Sequence, residues 1–172
     1  MLPHKIPTKP KHILGIDPGI ATTGFGVIEL IKTTPHWITH GVIQTPKQEI
    51  LASRLENIKK EIHAICKKYA ITTAGMEAIF FAKNTKTAIN VAHARGVILL
   101  TFEELHIPCY EFTPLQMKRT ITGFGQADKK QVEYMIQAIL KPKKPFKKDD
   151  AADALAIALC TCYNLVSLNI RV

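Results

Sequence analysis

Residues 13–29 read ILGIDPGIATTGFGVIE and contain two short apolar runs joined by a Pro-Gly connection. The first run ends on a single acid, Asp17, and breaks at once into Pro18-Gly19, which predicts a buried strand with a carboxylate at its C-terminal end. Gly15 inside this run predicts a point where another part of the chain approaches closely. The second run, from Gly24, predicts a partner strand after a hairpin connection. Because ligand sites in α/β sheets collect at the carboxyl ends of strands, Asp17 is a candidate functional residue; the structural alternative is a turn-initiating Asp.

The rest of the chain alternates strand and helix patterns. An alternating segment predicts a third strand, and a later buried strand again ends on an acid, Glu77. Thr113 and Asp128 are good helix N-caps, and Asp149 opens the last long helix. The predicted elements after the hairpin are strand 37–44, helix 48–69, strand 71–77, helix 87–105, strand 108–112 and three further helices.

Length and composition predict one globular domain, and the alternation of strand and helix patterns favours the α/β class. The chain has 172 residues and 47% hydrophobic residues, enough for a single buried core at 12–166 between a loose basic tail at 1–11 and a tail at 167–172. No run approaches the length of a membrane span, so we expect a protein with no membrane role. The four cysteines form no CxxC pair, which indicates reduced thiols and a cytoplasmic location.

The positive charge is concentrated in one part of the chain. The net charge is +9, and residues 118–148 alone hold nine Lys or Arg against two acids. Within this region, residues 141–148 contain five lysines and two prolines and are predicted to be a surface loop. Such a density favours a polyanionic partner; the alternative is a solvated loop whose lysines keep the protein soluble.

Four acids form a possible metal-binding set. Asp150 and Asp153 are three residues apart, which puts both carboxylates on one face of a helical first turn. Alone they would most often be caps, but Asp17 and Glu77 add two strand-end acids, and the apolar settings of all four acids supply no matching Lys or Arg. Converging carboxylates repel unless they take up protons or bind a hard dication. With a basic surface, the set predicts a metal-dependent nuclease that uses two Mg²⁺ ions.

Five motifs together resemble the RuvC Holliday junction endonucleases. They are GIDPG at 15–19, TGFGVI at 23–28, EAIFFAKN at 77–84, ARGV at 94–97 and DAADALAIA at 150–158, within a resemblance that spans about 13–163. The resemblance implies a ribonuclease H-like fold with a five-stranded mixed sheet flanked by helices. It also implies a homodimer, a branch-migration complex as a partner, and metal-dependent symmetric nicking of four-way junction DNA in recombination and repair.

The resemblance also assigns site residues. It implies that the catalytic and metal-binding acids are Asp17, Glu77, Asp150 and Asp153, with Mg²⁺ as the cofactor and Mn²⁺ able to substitute.

The same resemblance implies a set of DNA contacts. These are Phe80 as a stacking aromatic, with Lys83, Arg95, Lys118 and Lys129. From the residues alone, Phe80 and Phe81 could equally plug the core.

Three alternatives remain open at this point. A non-catalytic junction-binding module of the same fold would be expected to have lost an acid, and an actin-like ATP-dependent enzyme would need two such domains.

For assembly, Ala88, Ala92 and Gly96 form a stripe of small residues on one predicted helix, where a second copy of the chain could pack. The alternative is a monomer whose own helices cover that stripe.

Overall fold

The computed structural model describes residues 11–78, 85–146 and 149–170. Three strands come first, and helices then alternate with two more strands. The strands are β1 (Lys11–Asp17), β2 (Thr22–Ile31), β3 (Thr34–Gln44), β4 (Thr73–Glu77) and β5 (Cys109–Phe112). The helices are α1 (Leu51–Lys68), α2 (Thr85–Glu104), α3 (Pro114–Thr122), α4 (Lys129–Leu140) and α5 (Asp149–Ile170). Each predicted element in the described ranges is present, with ends shifted by a few residues.

The strands form one mixed sheet in the order β3-β2-β1-β4-β5. β1 pairs antiparallel with β2, and β2 with β3, whereas β1, β4 and β5 run parallel. This is the five-stranded ribonuclease H-like arrangement that the sequence resemblance implied. Because β1 lies at the centre and runs parallel to β4, Asp17 and Glu77 end neighbouring strands at the same edge of the sheet.

Each face of the sheet is covered by its own layer of helices. Alternate residues of β1 point to opposite sides: Ile13 packs with α3, α4 and α5, and Leu14 packs with α1 and α2. Both side chains are fully buried. The acid-bearing edge is therefore the rim of a three-layer α/β/α domain.

Helix α5 lies directly on the sheet because glycines leave room for its backbone. A Cβ atom at Gly15 would overlap the carbonyl oxygen of Ala154, and one at Gly24 would overlap that of Asp150. The close approach predicted for Gly15 is therefore present. Since Gly24 pairs with Asp17 in the β1–β2 ladder, the first turn of α5 lies beside the end of β1.

Helix α5 bears on two sequence predictions. It continues to Ile170, and its last turn therefore lies within the range 167–172 that was predicted as a C-terminal tail. Its segment Asp149–Leu168 is long and apolar enough to cross a membrane by composition, which the sequence analysis had excluded. Most of that segment is buried in the domain, and packing against the sheet on one side and α3 and α4 on the other accounts for its apolar character.

The two predicted N-caps are present at the starts of α3 and α4, and each is part of a capping box. Thr113 accepts a hydrogen bond from the backbone of Gln116, and Asp128 accepts one from the backbone of Gln131. In each case the glutamine side chain bonds back to the N-cap backbone. The Asp128 cap fixes the start of α4 and thereby the backbone position of Lys129.

Candidate active site

The carboxyl groups of Asp17 and Glu77 lie side by side at the ends of β1 and β4. The register pairs Ile16 with Met76, one residue before each acid, and the two carboxyl groups are close enough to share a hydrogen bond. Burial, the neighbouring Glu77 charge and the charges of Asp153 and Asp150 raise the pKa of Asp17 to about 8. Burial also raises the pKa of Glu77. Without a cation, this pair therefore retains a proton near neutral pH.

Asp150 and Asp153 face the same region from the first turns of α5. Both acids raise the pKa of Asp17 through their charge, so the four predicted acids share one electrostatic neighbourhood. Asp153 is itself partly buried, and burial raises its pKa although Lys129 acts in the opposite direction. The two strands and the helix thus bring together the four acids that the sequence selected.

Lys129, at the start of α4, reaches into this acidic neighbourhood. Its Nζ atom lies 3.3 Å from Oδ2 of Asp153 and 3.1 Å from Oδ2 of Asp149. Partial burial acts to lower the pKa of Lys129, but the two carboxylates raise it overall, so the ammonium stays charged. The sequence-based statement that the acids have no matching Lys or Arg is therefore wrong. The structure pairs Lys129 with the acids, whereas the sequence resemblance had assigned it to DNA.

Arg95 is buried, whereas the sequence analysis had assigned it a DNA contact. Only 6% of the residue is exposed, and its guanidinium donates a hydrogen bond to the backbone carbonyl of Glu77. Its Nη2 atom also lies 2.9 Å from Oε1 of Glu111 on β5. In this arrangement Arg95 links α2 to the ends of β4 and β5 and holds the backbone that carries Glu77.

Of the other three predicted DNA contacts, the structure describes only Lys118. Lys118 lies on α3 and is partly exposed, and no carboxylate of the described residues lies within 4 Å of its ammonium group. Phe80 and Lys83 lie outside the described residues. Both follow Glu77 closely in the chain, in the connection between β4 and α2.

Sequence reasoning missed the pairing of Lys129 with the acids and the internal role of Arg95. Both depend on how helices from distant parts of the chain meet the sheet, which no local pattern reveals. The only available signal was that ARGV at 94–97 belongs to a motif, and a motif does not distinguish a buried arginine from an exposed one.

The donor chemistry of this site fits a hard dication. Among the described residues, no group of three or more His, Cys, Asp or Glu side chains is placed to hold one ion. The donors at the site are all carboxylate oxygens, which are the ligands that Mg²⁺ prefers. Burial and the neighbouring carboxylates raise the pKa values of Asp17 and Glu77, so the ionised forms of both acids are short of compensating positive charge. A dication would supply this charge.

Comparison with known proteins gives consistent matches over most of the chain. The family model described as crossover junction endodeoxyribonuclease RuvC matches residues 13–161. The RuvC protein of Clostridioides difficile is 48% identical over 88% of this chain and 90% of its own length. The RuvC protein of Thermosipho melanesiensis is also 48% identical, over 86% of this chain and 94% of its own length. A solved structure of T. thermophilus RuvC in complex with Holliday junction substrate superposes with a TM-score of 0.86 at 29% identity, covering 92% of this chain and 97% of that one.

Proposed function

Because the chain belongs to the RuvC family of crossover junction endodeoxyribonucleases, we propose that it resolves four-way (Holliday) DNA junctions in recombination and repair by nicking two opposed strands. The observation that supports this proposal is the convergence of four acids at one edge of the sheet: Asp17, Glu77, Asp150 and Asp153. The charges of the other three raise the pKa of Asp17. A set of oxygen donors of this kind suits hydrolysis of a phosphodiester bond.

The four acids would hold Mg²⁺, and Mn²⁺ could take its place. When bound, such ions supply an activated water and stabilise the leaving oxygen. The chain's own residues prepare this site: Arg95 holds the end of β4, and Gly24 lets the first turn of α5 lie against β2. Lys129 offsets part of the negative charge while the site is without metal.

The DNA surface in this proposal surrounds the acids. Lys118 on α3 and Lys129 at the start of α4 would bind phosphates beside the acids. Phe80 and Lys83 are proposed as contacts to the junction crossover and its backbone, since they follow Glu77 in the chain. Arg95 is excluded from this surface because it is buried.

A homodimer is proposed from the exposed face of α2. Ala92 and Gly96 are exposed, and a Cβ atom added at Gly96 would meet nothing within 4 Å. Three larger apolar side chains on the same helix are also exposed: Ile89 at 53%, Leu99 at 36% and Leu100 at 54%. An exposed apolar strip of this kind on a helix suits an isologous contact with a second copy. Two copies would present two acid sites to a junction with two-fold symmetry.

A cytoplasmic location and a partner that drives branch migration complete the proposal. The four cysteines are free in the described structure, and burial raises the pKa of the Cys160 and Cys162 thiols to about 12, so neither is poised to form a disulfide. Thiols of this kind suit a reducing compartment. The branch-migration partner rests on the family resemblance.

The test is incubation of the protein with a synthetic four-way junction and with a linear duplex of the same sequence, each in Mg²⁺ and in EDTA. We expect nicks only in the junction and only in Mg²⁺. An Asp17→Asn variant should bind the junction within a few-fold of the parent but leave it uncut, and Glu61→Gln, an exposed acid on α1, is the matched control. Junction binding without cleavage by the parent would favour the non-catalytic module instead.

A further inference from the structure

Residues 141–146 are the described part of the loop between α4 and α5, and His40 anchors this part to the edge strand β3. The indole N–H of Trp37 donates to Nδ1 of His40 at 2.9 Å, and His40 Nε2 lies 3.4 Å from the carbonyl oxygen of Pro145. The imidazole ring also lies against Phe146, with ring centroids 5.0 Å apart and planes tilted by 57°. The loop is thus joined to the sheet by one polar and one aromatic contact to the same side chain.

These contacts define the protonation state of His40. Because Trp37 donates to Nδ1, that nitrogen must be the acceptor, and the proton must sit on Nε2, which donates to Pro145. Burial lowers the pKa of His40. The hydrogen bond to Pro145 acts against this shift and the nearby Lys144 charge acts with it, and the pKa is lowered overall, so the ring is neutral at pH 7. A neutral imidazole of this tautomer makes both hydrogen bonds at once.

The anchored loop presents exposed ammonium groups. Lys141, Lys143 and Lys144 are all exposed, and no carboxylate among the described residues lies within 4 Å of them. Together with Gln137, Pro145 and Phe146 they line an open concavity of about 410 Å³. Lys141 caps α4 in the left-handed conformation, with φ of 45°, which fixes where the loop leaves the helix. Like charges held close together on an ordered loop repel one another, and a polyanion relieves that repulsion.

The loop is also close to the acids along the chain. Phe146 is three residues before Asp149, so their Cα atoms are at most about 11 Å apart. Duplex DNA carries one phosphate charge per about 1.7 Å of its axis. A duplex arm with one phosphate at the acids would therefore bring several more phosphates within reach of the loop.

We propose that Lys141, Lys143 and Lys144, on the loop that His40 holds against β3, bind backbone phosphates of the duplex arm beside the cleavage site. This contact rests on the proposed nuclease function and extends it to a surface that no catalytic motif covers. The lysines bind by charge, so they contribute to affinity for duplex arms of any sequence. His40 is a positioning residue, since it acts through the loop.

The test is the salt dependence of DNA binding in EDTA, measured on a four-way junction and on a linear duplex. The double variant Lys143→Ala/Lys144→Ala should reduce the slope of log K against log salt by about 1.8 on both DNAs, because each lost phosphate contact removes about 0.9. The control is Lys67→Ala/Lys68→Ala in the last turn of α1, on the opposite face of the sheet, and it should keep the parent slope. A slope equal to that of the parent would overturn the proposal.

His40 needs variants that separate positioning from folding. His40→Phe keeps a ring against Phe146 but removes both hydrogen bonds, and it should reduce the slope of log K against log salt, as the lysine variant does. His40→Gln can still accept from Trp37 and donate to Pro145, and it should keep the parent slope. Melting curves identify any variant that fails to fold. A parent-like slope for a folded His40→Phe protein would contradict the positioning role.

The two proposals fail in different ways. If the parent leaves junctions uncut in Mg²⁺ yet binds duplex with a slope that depends on the loop lysines, the nuclease proposal fails and the loop proposal stands. If the parent cuts junctions and the lysine variant keeps the full slope, only the loop proposal fails.

Discussion

The ammonium group of Lys129 lies 3.3 Å from the carboxylate of Asp153, so one acid of the candidate site already has a cationic partner. This pair joins the start of α4 to the start of α5, two helices that pack together on one face of the sheet. The ammonium and a dication would compete for the same carboxylate oxygens.

We therefore expect Lys129→Met to bind Mg²⁺ more tightly than the parent. The expected gain is up to roughly fivefold, since a partly exposed ion pair is worth about 0.2–1 kcal/mol. The measurement is the Mg²⁺ concentration at the midpoint of thermal stabilisation, without DNA. Lys130→Met is the matched control because Lys130 is exposed on the next position of α4 and forms no ion pair among the described residues. Equal midpoints for the parent and Lys129→Met would show that the pair does not compete with metal.

The raised pKa of Asp17 predicts how metal-free stability depends on pH. Since its pKa is about 8 in the folded chain and 3.8 ordinarily, the folded state favours the protonated acid. The stability that this proton provides is fully present below about pH 4 and is lost as pH rises through 8. In EDTA, Asp17→Asn should therefore gain stability relative to the parent across this range, and the difference should level off above it.

Denaturant unfolding of both proteins from pH 4 to 9 measures this difference. Adding Mg²⁺ at pH 8 should stabilise the parent more than Asp17→Asn, since the dication replaces the proton as the partner of the ionised carboxylate. A difference between the two proteins that does not change with pH would mean that Asp17 ionises in the folded chain as it does in water.

The sequence could predict the positions of the acids because strand and helix signals are local. The run at 13–17 breaks immediately after Asp17, and the run at 71–77 likewise ends on Glu77. The mixed sheet that brings the two strands together was implied by the family resemblance. The capping boxes at Thr113 and Asp128 are likewise local. The contacts of Lys129, Arg95 and His40 could not be predicted, because each joins side chains that meet only after the helices and loops have packed on the sheet.

Phe80 provides a prediction about cleavage. Phe80→Ala should reduce junction cleavage more than junction binding if the ring stacks on an exposed base, because stacking is worth about 1–3 kcal/mol and also positions the strand. Single-turnover cleavage and equilibrium binding, measured side by side, test this. Phe80→Trp should restore cleavage, since it supplies a larger ring. A large drop in melting temperature for Phe80→Ala would indicate instead that the ring plugs the core.

The exposed stripe on α2 provides a prediction about assembly. Ala92→Arg should run as a monomer in sedimentation at micromolar concentration, whereas the parent should show twice the mass of the chain. A long charged side chain at the centre of a close helix contact cannot be buried without a partner. Ala64→Arg, at an exposed position of α1, is the matched control and should remain a dimer. If Ala92→Arg keeps the parent mass, the stripe is not the interface.

In the proposed dimer two acid sites act together on one junction. Cleavage of a supercoiled plasmid with an extruded cruciform measures whether they do. Paired nicks in opposed strands convert the plasmid to a linear product, whereas a single nick relaxes it, and the relaxed cruciform is reabsorbed. We expect the parent to give linear plasmid in Mg²⁺ and no product in EDTA, and we expect Asp17→Asn to give no product in either. Nicked circles as the sole product of a dimeric parent, or linear plasmid from Asp17→Asn, would contradict the account.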